Sequence, residues 1–150
     1  MNELVSHIIT KAKRKGACEL INQSTCLKDL YKLLLTPQGR EFCQGKNFPG
    51  YGLWRLIKRH SDLRMFNIFI DEGRVNITNS HKASIIGKTD ATMNCYGCNK
   101  RFFIMVQHGA SLRINASDYA VIIILKIGKG NKITINKDNT VRILWEGNLG

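Results

Sequence analysis

Acidic side chains are scarce in this chain: eleven Asp and Glu stand against 23 Lys and Arg, a formal charge of +12. So basic a chain favours polyanions such as nucleic acid, acidic lipid or an acidic protein as partners. Long apolar runs are also missing. The longest, Ala120 to Leu125, falls far short of the roughly 18–20 residues that cross a bilayer. The opening stretch MNELVSHIITKAKRKG places its cations after the apolar part, the reverse of a signal peptide. Five cysteines, an odd number without framework spacing, argue for reduced thiols. A cytoplasmic protein with no membrane association is expected.

Catalytic signatures are missing as well. The four histidines form no HExxH pair, and Ser84, Ser111 and Ser117 lack a nucleophile elbow. Asp71, Glu72, Asp90, Asp118 and Asp138 are spread out, with Asp118 and Asp138 in turn-like contexts. Cys95-Tyr96-Gly97-Cys98 is a CxxC, but structural zinc needs four ligands and no second pair exists. GKGNK at 128–132 lacks the GxxxxGK[ST] pattern of a phosphate loop. No catalytic residue, metal or cofactor is assigned.

What the chain does have is organisation. Its 150 residues, 43% of them apolar, suffice for a packed core. Over residues 1–65 the apolar spacing is helical. Leu4, Val5, Ile8 and Ile9 share a face, and Lys11 to Lys15 followed by Gly16 form a sensible helix end. Leu27 to Leu35 predicts a second helix. Thr36-Pro37 starts a third that is expected to end at Gly45, and Tyr51 to His60 a fourth. The exposed side of that last helix carries Arg55, Lys58 and Arg59, with Arg64 just beyond.

From residue 66 the period changes to that of strands. Four similar units follow, headed by the apolar pairs Val75/Ile77, Met93/Cys95, Leu112/Ile114 and Ile133/Ile135, at spacings of 18, 19 and 21 residues. Fixed-period self-similarity favours a β-solenoid of about four coils, with Asn115 and Asn136 as a stacked corner. The alternative is an antiparallel meander of hairpins, closed as a barrel or sandwich, since ITINKDNTVRI alone reads as a hairpin. Taking Arg142 as outward turns Val121, Ile123 and Leu125 inward, with Phe102, Ile104 and Val106. It leaves Phe103, Met105, Ile122 and Ile124 on an outer face that something must cover.

The order TPQGREFCQGKNFP, short helix, strand, then Asn-rich β-repeats resembles small proteins encoded by gut Bacteroidetes and their phages, over residues 36 to 144. That resemblance implies a phage or mobile-element setting and carries no site residues.

The expected fold is therefore α+β: a helical cap over 1–65, then a short β-solenoid over 66–150. The expected function is a non-enzymatic binding module for an anionic partner (nucleic acid, a nucleotide or an acidic protein). Arg55, Lys58, Arg59, Arg64, Lys100 and Arg101 are its expected points of attachment. The alternative is an assembly protein dimerising through Phe103, Met105, Ile122 and Ile124, and a carbohydrate-active β-helix enzyme comes third.

Overall fold

The computed structural model describes residues 2–97 and 100–146, apart from the side chain of Asn2. The chain divides into two compact units, Met1–Ser61 and Asp62–Gly150.

The first unit is helical. Helix α1 (Asn2–Arg14) buries Leu4, Val5, Ile8 and Ala12 and closes with cations in its last turn. The amide of Ala17 bonds back to Ala12 and that of Gly16 to Lys13, with Gly16 at φ 97°. This paired closure needs a left-handed residue, which glycine supplies without a Cβ penalty. After a 3-10 turn come α2 (Leu27–Leu34) and α3 (Pro37–Lys46). Thr36 caps α3 by accepting from the amide of Gly39 at 3.1 Å. Helix α3 runs past the expected stop at Gly45 and ends at left-handed Asn47. Nothing at Gly45 forces a stop, whereas Asn tolerates the closing conformation. Helix α4 (Tyr51–His60) buries Leu53, Trp54 and Ile57, and Trp54 stacks on Tyr31 of α2 with ring centroids 6.1 Å apart.

The described residues of the second unit form nine strands: β1 (Ile68–Ile70), β2 (Gly73–Thr78), β3 (Lys82–Ile86), β4 (Thr89–Tyr96), β5 (Arg101–Gln107), β6 (Ser111–Ser117), β7 (Val121–Ile127), β8 (Lys132–Lys137) and β9 (Arg142–Trp145). Successive strands alternate between two sheets, ordered β1-β3-β5-β7-β9 and β2-β4-β6-β8. Every strand pairing among the described residues is parallel.

This arrangement corrects the expected fold. Among the described residues the layout is α/β, four α-helices with two parallel sheets of five and four strands, and not a helical cap on a short β-solenoid. The antiparallel meander fails too. The stretch ITINKDNTVRI spans β8 and β9, which lie in different sheets and never pair.

Register explains where the sequence misleads. The observed columns are Val75–Ala91–Leu112–Ile133 and Ile77–Met93–Ile114–Ile135. Small Ala91 heads its unit where the apolar pattern points to Met93, a two-residue slip. In the five-stranded sheet Ile122 pairs with Ile143 and Val121 with Arg142, so the β7 phase is one residue off the expected one. A one-residue slip moves every side chain to the other face. Ile122 and Ile124 consequently lie in the core between the sheets with Phe102, Ile104, Val106, Met93 and Ile114. Val121, Ile123 and Leu125 are not part of that core cluster. Burying these side chains supplies most of the unit's stability, at roughly 1.5–3 kcal/mol each.

The corners between the sheets also follow columns. Asp71, Gly87, His108 and Gly128 close successive odd strands, all with positive φ. The amides of the first three bond to Ile86, Gln107 and Ile127 of the next turn. A left-handed turn suits Gly and Asp, and His tolerates it better than most side chains; the His108 amide is held there by its bond to Ile127.

Candidate anion-binding surface

The helical unit concentrates the positive charge. Residues 1–61 carry eleven Lys and Arg against four Asp and Glu; residues 62–150 carry twelve against seven. Within α4, YGLWRLIKRH has no acid at all. Its apolar residues recur at helical spacing and turn Leu53, Trp54 and Ile57 inward, which obliges Arg55 and Arg59, one turn apart, to share the exposed face. Lys58 flanks them half-buried. The Arg55 guanidinium lies 5.7 Å from the Tyr51 ring centroid, which restrains it without neutralising its charge. Lys58, Arg59 and His60 occupy the last turn, where cations complement the helix dipole.

The remaining expected cations belong to the second unit. Arg64 is exposed in a 3-10 turn and grips Asp62 with Nε on Oδ1 and Nη2 on Oδ2, both at 3.1 Å. That fork holds the Asp62 carboxyl below the usual range, the hydrogen bond from the Arg64 side chain being its largest cause. Lys100 and Arg101 are exposed at the start of β5. Phe103 and Met105 are buried on the face of the five-stranded sheet opposite the core, while Ile122 and Ile124 are core residues. The four expected interface residues therefore form no common outer patch.

Other chemistry-bearing groups are tied into the fold where they are described. Cys95 is fully buried in the core, and burial pushes its thiol up to about 12; its CxxC partner Cys98 lies outside the described residues. The described residues hold no group of three or more His, Cys, Asp or Glu fit for a metal. In GKGNK, Asn131 accepts from the amide of Gly109 and donates to Ile127, so the loop is a tied corner. Asp138 accepts from the amide and hydroxyl of Thr140. No helix among the described residues is long and apolar enough to cross a membrane.

Sequence reasoning missed a second surface, the outward face of the four-stranded sheet. Its rows are Arg74–Asp90–Ser111–Lys132, Asn76–Thr92–Arg113–Thr134 and Thr78–Asn94–Asn115–Asn136. In the last row Asn136 donates to Asn115 and Asn115 to Asn94, each at 3.2 Å. The expected Asn115/Asn136 pairing thus sits in the strands and not at a corner. The register of β6 on β8 was legible in the Asn115/Asn136 column; that of β4 was not. No known protein family, curated protein or solved structure matches the chain.

Proposed function

We propose that the chain is a non-enzymatic binding module of phage or mobile-element type, working in the cytoplasm, that engages a polyanion through its helical unit. Nucleic acid is the polyanion its chemistry fits best. The observation that carries this reading is the acid-free α4, whose Arg55 and Arg59 share one exposed face in the unit with the larger excess of positive charge. Arginines one turn apart suit phosphates, which a planar guanidinium can grip with two hydrogen bonds. Lys58 adds a third charge. Lys100 and Arg101 provide a second pair of exposed cations, and Arg64 is exposed in the grip of Asp62.

Such phosphate-gripping groups fix orientation without reading base sequence. Binding should therefore depend steeply on salt, because each neutralised phosphate releases condensed counterions. Fluorescence anisotropy with a labelled duplex, titrated across salt concentrations, tests this. Replacing Arg55 and Arg59 with Glu should weaken binding and flatten the slope of log K against log salt by about 0.9 for each phosphate no longer neutralised. Absence of association at low salt would end the proposal.

A further inference from the structure

The far edge of β8 is a second, independent surface. The four-stranded sheet ends at β8, and no described strand lies beyond it. Its inward residues Ile133 and Ile135 pack against the core yet are only half-buried, unlike their column neighbours Leu112 and Ile114. In the other sheet the last strand is open as well, with Leu144 45% and Trp145 40% exposed. The terminal layer of the core thus has apolar surface on one side only, and β8 offers a row of backbone donors and acceptors beside it.

The rows ending on β8 specify what would continue them. The row Arg74–Asp90–Ser111–Lys132 ends on an exposed cation. The asparagine row is polarised: every amide donates toward β4, so the Asn136 oxygen stands at the accepting end. A second copy fits poorly. Its β2, laid in parallel register, would set Arg74 against Lys132.

We infer that the edge of β8 is a docking site for an extended, acidic segment of another protein, added as a parallel strand. Its outward positions carry an acid facing Lys132, a small polar residue facing Thr134, and an Asn or Gln facing Asn136. Apolar residues between them cover Ile133 and Ile135. This is strand addition, in which backbone bonds give affinity and alternate side chains give specificity. The β8 edge and α4 belong to different units, so failure of either reading leaves the other standing.

The probe is a capped, soluble peptide bearing the alternation EITIN, with KITIN, the chain's own β8 sequence, as its counterpart. NMR titration of the 15N-labelled full chain should show saturable shifts of the 132–137 amides with EITIN and much weaker ones with KITIN. Replacing the final Asn of EITIN with Ala should weaken binding about two- to tenfold, the worth of one hydrogen bond. The exposed substitution Lys132→Glu should reverse the preference. The inference is overturned if EITIN gives no saturable shift at millimolar peptide, or if both peptides bind alike. It is equally overturned if KITIN binds better and the chain sediments as a dimer, which would make the occupant a second copy.

Discussion

The carboxamides of Asn94 and Asn115 are hydrogen-bonded at 3.2 Å across adjacent strands, although 21 residues separate them in sequence. With Asn136 they form a continuous row that cross-links β4, β6 and β8 on the exposed face. Replacing Asn115 with Ala removes both bonds of the row at once. The expected loss is about 1 kcal/mol, because exposed groups recover much of each bond from water. Urea unfolding measures it, and an unchanged midpoint would show the row to be energetically idle.

Ile122 is the sharper probe of register. It has no exposed surface and faces the core beside Phe102. Ile122→Ala should cost about 2–5 kcal/mol through reduced burial and a residual cavity. The neighbouring Ile123→Ala should cost clearly less, since Ile123 is only half-buried and outside the core cluster. Equal losses at the two positions would contradict the register.

Gly39 fixes the closeness of α2 and α3. A Cβ there would stand 2.3 Å from the carbonyl oxygen of Leu33 and 2.7 Å from backbone atoms of Leu34. Backbone cannot swing aside as a side chain can, so Gly39→Ala should destabilise the helical unit by about 1–3 kcal/mol. Thermal unfolding followed by helical circular dichroism reads the effect.

Asp138 sets a small acid sensitivity. Hydrogen bonds from Thr140, first from its side chain and then from its amide, depress the Asp138 carboxyl below its ordinary value. A carboxyl depressed in the folded state contributes stability above its unfolded value. That contribution disappears as pH falls through the depressed folded value. Thr140→Val should move the Asp138 midpoint, followed by carboxyl NMR, back toward an ordinary aspartate. The Thr140 hydroxyl also accepts from the amide of Tyr119 at 2.9 Å, so the same variant should speed exchange of that amide.

The sequence by itself determined composition-level and local properties. Helical spacing placed α1, α2 and α4, the Thr36-Pro37 start of α3 followed from capping chemistry, and the basic face of α4 followed from its apolar one. Alternation showed that residues after 66 form strands. These features depend on neighbours within a few residues, which periodicity reads directly.

Tertiary structure alone decided the partners of those strands. Ala91 stands in the column between Val75 and Leu112, a place no apolar pattern announces. Val121-Ile122-Ile123-Ile124 is apolar at every position, so nothing local says which alternate pair faces the core. Pairing with Phe102 and Ile143 settles it. The same cause hid the place of the Asn115–Asn136 pair within strands, its extension to Asn94 and the β8 edge, since these exist only once residues about 21 apart are stacked in register.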